Sequence, residues 1–222
     1  MARLTWDATG TRYFETGVKN CVLYIKENDT WKGVAWNGIT SISESPDGAE
    51  ATDIYADDIK YASLRSAETF SGSIEAFTYP DEWMACDGSV EAADGVVLGQ
   101  QPRAKFALCY RTAVGSDEVT DLSQMYKLHI IYGCTASPSE KSYETINDSP
   151  DAITFSWDFT SDPVAVTGHS PISTITIDSR KADATKLATL LDTLYGKDAQ
   201  GSTEATTATL PTPAQVLQVF AE

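Results

Sequence analysis

Few residues of this chain are of the types that carry out catalysis. Its two histidines are His129, inside the apolar segment Tyr-Lys-Leu-His-Ile-Ile-Tyr, and His169, in a Gly-His-Ser-Pro turn. Either could act as a general base. The sequence lacks a glycine-rich phosphate loop, the Gly-x-Ser-x-Gly elbow of serine hydrolases and the His-Glu-x-x-His zinc motif. These absences argue against an enzyme, and no catalytic residue is predicted.

The carboxylates do not form a recognisable catalytic or metal-binding pattern either. Adjacent carboxylates occur at 57–58 and 81–82, but a glycosidase needs two carboxylates that face one bond at a defined separation. Residues 87–94 resemble a calcium loop only superficially. Ala92 occupies the sixth position, where the turn requires glycine, and Leu98 replaces the glutamate of the twelfth. No cofactor and no metal site are predicted.

The cysteines and the net charge argue against disulfide bonds, zinc sites and tight binding of nucleic acid. The cysteines contain no Cys-x-x-Cys and lie far from any histidine at zinc-site spacing, so we expect buried free thiols at Cys21, Cys86, Cys109 and Cys134. With 32 acidic and 16 basic residues the formal charge is −16. Tight DNA binding is therefore not expected, because affinity for nucleic acid comes mainly from Lys and Arg.

No segment of the sequence predicts export or a membrane span. The N-terminus has no apolar signal region, and no apolar run approaches the roughly 20 residues that cross a bilayer. We expect a chain made in the cytoplasm, with one domain over residues 1–197 and an appended segment over 198–222.

Two segments, 67–78 and 152–160, alternate apolar and polar residues as antiparallel strands with one buried face do. Their apolar positions are Phe70, Ile74 and Ala76, and Ile153, Phe155, Trp157 and Phe159. Their polar positions are Thr69, Ser71, Ser73 and Glu75, and Thr154, Ser156, Asp158 and Thr160. The polar faces are expected to meet water or a channel.

The remaining chain predicts a mainly β protein with a few helices. Further strands are predicted at 21–27, 31–43, 104–113, 124–135 and 171–178. Short helices are predicted at 80–87, at 183–195 and after the Thr-Pro step at 212–213. The five tryptophans could line a sugar-binding platform, but core packing is the favoured interpretation, most clearly for Trp157.

Residues 44–58 carry six acids and no basic residue, and they predict a long exposed loop or hairpin. The residues that define this acidic segment are Glu44, Asp47, Glu50, Asp53, Ile54, Tyr55, Asp57 and Asp58. The terminal helix carries three large apolar residues, Val216, Leu217 and Phe220, after a low-complexity linker. Such a helix must either fold back on its own subunit or dock on a neighbour.

Eight ordered segments carry a resemblance that extends over most of the chain from residue 16 onward. They include Thr-Gly-Val-Lys-Asn-Cys-Val-Leu-Tyr at 16–24, Ile-Tyr-Ala-Asp-Asp-Ile-Lys-Tyr at 54–61, Gly-Gln-Gln-Pro-Arg at 99–103 and Tyr-Gly-Cys-Thr-Ala-Ser-Pro-Ser-Glu at 132–140. The others are at 66–83, 108–112, 126–129 and 147–157. Together these segments resemble the major tail proteins, or tail tube proteins, of long-tailed (siphovirus-type) bacteriophages of Gram-positive hosts.

The resemblance implies a tail-tube fold, an antiparallel β-sandwich or barrel-like structure with a flanking helix, an extended loop and a terminal arm. It implies hexameric rings that stack into a tube in the virion, through which DNA passes without tight binding. The implied partners are other copies of the chain, the tape measure protein, the tail terminator and the tail-tip proteins. Two alternatives stay open, namely the tube of a related injection or secretion machine and a carbohydrate-binding β-sandwich.

By the same resemblance, each group of surface residues acquires an expected role. The two polar sets at 69–75 and 154–160 are alternative candidates for the channel wall. The acidic segment 44–58 is a candidate loop that orders against the next ring. Val216, Leu217 and Phe220 are candidate contacts of a terminal arm with a neighbouring subunit.

Overall fold

The computed structural model describes residues 3–48, 50–119, 121–143, 145, 152–199 and 205–221. It shows a mainly β protein with few helices, as predicted. The strands are β1 (Tyr13–Glu27), β2 (Thr30–Trp36), β3 (Ile39–Gly48), β4 (Ala51–Ala56), β5 (Ile59–Arg65), β6 (Glu68–Ala76), β7 (Val90–Ala93), β8 (Val96–Leu98), β9 (Phe106–Ser116), β10 (Tyr126–Ala136), β11 (Phe155–Ser161), β12 (Val164–Val166), β13 (His169–Ile172) and β14 (Thr174–Asp178). The helices are α1 (Trp83–Asp87), α2 (Ala184–Tyr195) and α3 (Pro213–Ala221).

One large antiparallel sheet organises the molecule, with the strand order β2-β1-β9-β10-β11-β6-β3 and β14 paired to β10. The sheet curls back on itself, so that β3 comes close to β1. Three two-stranded hairpins, β4–β5, β7–β8 and β12–β13, extend from this body. The result is a barrel-like sandwich, in agreement with the predicted fold class.

The interior of the curled sheet is an aromatic core. Trp36, Trp83 and Trp157 pack against one another there, with ring centroids 4.7 Å apart for the first two and 5.4 Å apart for the last two. Trp157 on β11 is fully buried, which confirms its predicted place in the core. Edge-to-face and tilted arrangements of this kind add to the free energy gained from burial alone.

A second core lies on the outer face of β1, β9 and β10, where α2 and α3 cover the sheet. Residues 21–25 of β1 and 106–110 of β9 are buried at every position, because these segments pack on the interior core with one face and under the helices with the other. Leu187, Leu190 and Leu194 of α2 supply the covering layer. Asp183 caps this helix by accepting hydrogen bonds from the amides of its first turn.

The strand predicted at 152–160 begins later than its alternation suggested. β11 starts at Phe155, Ile153 is exposed rather than buried, and Thr154 precedes the strand. The reason is the length of the neighbouring strand. Phe155 pairs with Ala76, which is the last residue of β6, so the residues before Phe155 have no β6 partner to pair with.

The four cysteines are buried free thiols, as predicted. Burial raises the pKa of Cys86 and of Cys109, each to about 12, so these side chains stay protonated and behave as small apolar groups. Among the helices in the described part of the chain, none is both long and apolar enough to cross a membrane.

Candidate functional site

The two sets of polar residues predicted as alternative channel walls lie side by side on one sheet face. β6 and β11 pair antiparallel, and the register sets Ser156 opposite Glu75, Asp158 opposite Ser73 and Thr160 opposite Ser71. Side chains at paired positions share a face of the sheet. From the sequence, the two polar sets were alternatives. The pairing of β6 with β11 shows that they form one continuous surface. Thr154 is the one member that falls outside it, ahead of β11.

β3 adds a third column to this face. Its register places Ser41, Ser43, Ser45 and Asp47 opposite Glu75, Ser73, Ser71 and Thr69 of β6. Hydrogen bonds hold the columns together: the Ser41 hydroxyl donates to Glu75 Oε2 at 3.0 Å, and the Ser71 hydroxyl donates to the Ser45 carbonyl at 2.9 Å. We call the outward residues of β3, β6 and β11 the polar face; they are Ser41, Ser43, Ser45, Asp47, Thr69, Ser71, Ser73, Glu75, Ser156, Asp158 and Thr160.

The composition of the polar face limits what it can do. Every residue is a small hydroxyl or a carboxylate, and none is basic. A surface of this kind stays hydrated and repels phosphate, since binding to nucleic acid depends on cations that neutralise its backbone. The polar face therefore suits contact with water or the passage of a polyanion, and it does not suit a tight complex with one.

Glu44, the first residue of the predicted acidic segment, is exposed, but it lies within β3 and its carboxylate makes contacts inside the subunit. Glu44 on β3 pairs with Gly72 of β6, and its carboxylate accepts a hydrogen bond from the Tyr110 hydroxyl of β9. Position parity explains the difference, because residues at even positions of β3, such as Ile42 and Glu44, point to the opposite side from Ser43 and Ser45. Glu44 is thus a bridge between the two walls of the barrel.

His129 completes this bridge and has no free ring nitrogen for a substrate. Its Nε2 lies 3.0 Å from the Thr112 hydroxyl and its Nδ1 lies 3.4 Å from the Thr176 hydroxyl. The ring stacks on Tyr110 with centroids 4.8 Å apart. Burial lowers the pKa of His129, against the opposing effects of Glu44 and Glu15. This geometry describes a packed structural histidine and argues against the general-base interpretation.

Glu15 links β1 to the same cluster. It accepts hydrogen bonds from Lys127 and from the Thr112 hydroxyl, and its Oε1 lies 3.6 Å from His129 Nε2. Burial acts to raise the pKa of Glu15, but the two hydrogen bonds and the charge of Lys127 together lower it. The cluster therefore ties together strands that are far apart in the sequence.

Asp47 lies on β3 in the polar face, and residues 51–58 of the acidic segment form half of an exposed hairpin, which we call the arm (residues 51–65). Asp53, Ile54 and Tyr55 lie in β4, Glu50 lies just before it, and Asp57 and Asp58 form the turn with positive φ angles of 52° and 60°. Asp tolerates this left-handed conformation better than most residues do. The arm connects β3 to β6, and its first pair, Ala51 with Arg65, follows the last pair of those strands, Gly48 with Glu68.

The arm is amphipathic, which the sequence analysis missed. Its register pairs Thr52 with Leu64, Ile54 with Ala62 and Ala56 with Ile59, so one face is largely apolar. Ile59 is 64% exposed and Leu64 is 58% exposed. The period-two pattern in 52–56 and the β-branched Ile59 could have predicted this apolar face. The acidic residues of the opposite face and of the turn instead favoured the prediction of a wholly polar segment.

The terminal helix α3 folds back on its own subunit. Val216 is buried in the outer core, and Phe220 packs partly against the same core. Gly33 N donates to the Ala208 carbonyl and Thr209 N donates to the Thr193 carbonyl, which fixes the segment that leads into the helix. Val216 is thus used within its own subunit, whereas a contact of the partly buried Phe220 with a neighbour stays a prediction. Leu217 is 44% exposed and is the member that keeps an outward surface.

The tryptophans do not form an exposed platform for sugars. Trp36, Trp83 and Trp157 are buried in the aromatic core, Trp31 is half-buried, and Trp6 is exposed alone near the N-terminus. The sequence matches no protein-family model and shows no significant similarity to a curated protein.

Proposed function

We propose that this chain is a structural, non-enzymatic subunit that assembles with copies of itself into the tail tube of a long-tailed bacteriophage. The observation that carries the proposal is the polar face, a continuous wall of hydroxyls and carboxylates on β3, β6 and β11. In the tube this wall faces the lumen. The opposite side of the same strands packs on the aromatic core, so the wall is a rigid surface and not a loose loop.

The chemistry of the polar face suits a channel for DNA. Carboxylates such as Glu75 and Asp158 repel phosphate, and serine and threonine hydroxyls keep the wall hydrated. A duplex passing through such a lumen finds no cation to hold it, so it slides. The formal charge of −16 agrees with this role.

The ring is built through the edges of the sheet. β3 ends the strand order, and an edge strand is a template for pairing with another chain. Pairing between neighbouring copies around a ring extends the polar face into a closed barrel, which removes exposed edges. Rings with six subunits are the arrangement that the family resemblance implies.

The arm and other surfaces serve contacts along the tail. The apolar face of β4 and β5 is a stacking surface between rings, and exposed apolar patches of this kind mark interaction sites. The tape measure protein, the tail terminator and the tail-tip proteins are the further partners at the lumen and the ends of the tube. The assembled protein resides in the virion after synthesis in the host cytoplasm.

Size-exclusion chromatography and negative-stain electron microscopy of the purified protein test the proposal. The protein is concentrated at about 0.15 M salt, where the Debye length of about 8 Å screens its negative charge. Rings or hollow tubes are the expected result. A protein that stays monomeric at every concentration and salt, also when tail-tip proteins are added as a template, would contradict it.

A further inference from the structure

A corner made of Asn37 and Gly38 joins β2 to β3. An Asn-Gly step between two strands usually closes a tight hairpin. Here it does not, because β2 pairs with β1, β3 pairs with β6, and the two strands lie at opposite ends of the strand order. The step therefore turns the chain from one part of the sheet to the other, and no pairing between β2 and β3 supports it.

The chain is held on both sides of Asn37. The buried Trp36 donates a hydrogen bond from Nε1 to the Thr78 carbonyl at 2.8 Å. The Phe77 amide donates to the Gly38 carbonyl at 2.9 Å. Gly38 has a φ of 79°, and a Cβ atom at this position would lie 2.9 Å from Thr78 Cγ2. The corner therefore requires glycine after Asn37.

The side chain of Asn37 and the amide nitrogen of Gly38 are free to react with each other. The Asn37 side chain is exposed and lines an open cleft of about 400 Å³, so water reaches it. Within the described part of the chain, neither the Asn37 carboxamide nor the Gly38 amide takes part in a hydrogen bond. Glycine has no side chain that would keep its nitrogen away from the neighbouring carboxamide. Asn20 and Asn28, by contrast, are each followed by a residue with a side chain.

We propose that Asn37 is a site of spontaneous covalent modification, for which the reactants are the backbone of Gly38 and water. The Gly38 nitrogen attacks Asn37 Cγ and gives up its proton. The bond between Cγ and this nitrogen forms as the bond between Cγ and Nδ2 breaks, and Nδ2 leaves as ammonia with that proton. The product is a cyclic imide. Water opens the imide at either of its carbonyl carbons, which gives aspartate or isoaspartate at position 37.

The two products differ in what they do to the corner. Aspartate adds one negative charge to a chain whose formal charge is already −16 and leaves the main chain unchanged. Isoaspartate adds the same charge and also places Cβ in the main chain, between Trp36 and Gly38. Because both of these residues are held by the segment at Phe77 and Thr78, the longer main chain must displace one of the contacts. The reaction does not depend on assembly into a tube.

Ageing of the purified full-length protein tests the reaction. The protein is kept in mildly alkaline buffer, where the Gly38 amide loses its proton more readily, and its peptides are compared by mass spectrometry over time. We expect the Asn37 peptide to convert to the acid about tenfold or more faster than the Asn20 and Asn28 peptides, with two products of equal mass. Circular dichroism establishes that the protein stays folded during this time.

Asn37→Gln is the matched control for the ageing experiment. Its side chain is one carbon longer and does not readily form the same ring, so this peptide should keep its amide while the rest of the chain ages as in the wild type. Conversion of Asn37 no faster than that of Asn20 and Asn28 in the folded protein would overturn the proposal.

A stability measurement separates the effect of the charge from that of the longer main chain. Ion exchange isolates the aged protein, and its urea midpoint is compared with that of Asn37→Asp, which carries the charge alone. We expect Asn37→Asp to keep the midpoint of the wild type and the isoaspartate form to unfold at lower urea. Equal midpoints for the isoaspartate form and Asn37→Asp would contradict the account of a corner held on both sides.

Discussion

At the residue scale, the contact between the two walls of the barrel depends on a small set of polar side chains. Glu44 of β3 accepts a hydrogen bond from Tyr110 and lies 3.7 Å from His129 Nδ1. Glu44 is also only a few residues from the point where the arm leaves the barrel. The cluster thus holds the part of β3 that leads into the arm. The stability of the cluster depends on the protonation of His129.

Acidification should weaken the fold through His129. Burial lowers the pKa of His129 below its ordinary value of 6.5, so the unfolded chain binds this proton more readily than the folded chain does. The stabilising contribution is present above about pH 6.5 and is lost as pH falls. We expect the urea midpoint of the wild type to fall between about pH 7.5 and pH 5.5, and to fall less in His129→Gln.

The exposed His169 provides the control for this measurement. His169→Gln should keep the pH dependence of the wild type, because this exposed side chain at the start of β13 lies outside the cluster of Glu15, Glu44 and His129. Glu15 does not confuse the comparison, since its pKa is lowered from 4.5 and its effect falls below the pH range used. An identical pH dependence in the wild type and His129→Gln would contradict the assignment.

At Gly72, the backbone of β6 leaves no room for a side chain between the Ser43 carbonyl and the Phe159 ring. A Cβ atom there would lie 2.6 Å from Phe159 Cζ and closer still to the Ser43 carbonyl. Gly72→Ala should destabilise the fold by about 1–3 kcal/mol, the usual cost of forcing atoms into a packed core. Gly99→Ala is the matched control, because nothing lies within 4 Å of a Cβ at that position. Equal urea midpoints for the two variants would refute this account of Gly72.

At the element scale, the sequence was sufficient for single strands and insufficient for their pairing. The alternation in β6 and β11 predicted which side chains face out, because a period of two is a local property. Whether the two polar sets share a face depends on the pairing of β6 with β11, which are far apart in the chain. The same limit explains Glu44, whose hydrogen bond depends on the position of Tyr110 of β9.

The arm should be needed for assembly and not for folding. The double variant Ile59→Thr with Leu64→Thr removes apolar surface that the subunit leaves exposed. The free energy of unfolding, measured by urea denaturation, should therefore change by less than about 0.5 kcal/mol. Tubes should nevertheless be absent from electron micrographs of this variant. Val97→Thr, on the β7–β8 hairpin and 49% exposed, is the control that should keep tubes. Normal tubes from the Ile59 and Leu64 variant would contradict a stacking role.

In the terminal helix, Val216 should matter for the stability of the subunit and Leu217 should not. Val216 is 1% exposed, so Val216→Ala should cost about 2 kcal/mol of unfolding free energy, close to the value of a buried aliphatic side chain. Leu217→Ala should leave that free energy nearly unchanged. For the same reason, removal of residues 198–222 should destabilise the subunit itself, since it uncovers the outer core. A fully stable truncated chain would contradict this view of the tail.

At the scale of the whole molecule, the polar face and the arm belong to one part of the sheet, because the arm connects β3 to β6. The polar face runs along β3, β6 and β11, and the arm leaves the sheet where the pairing of β3 with β6 ends, at Gly48 and Glu68. A subunit with ends of different character stacks in one sense, which gives a polar tube. Its formal charge of −16 opposes association at long range, so specific contacts must provide the free energy of assembly.

Cryo-electron microscopy of tubes assembled from the purified protein tests the central claim most directly. The account predicts a hollow tube whose inner wall is formed by β3, β6 and β11, with Glu75 and Asp158 pointing into the lumen. A tube with these side chains on its outer surface, or buried between subunits away from the channel, would contradict it.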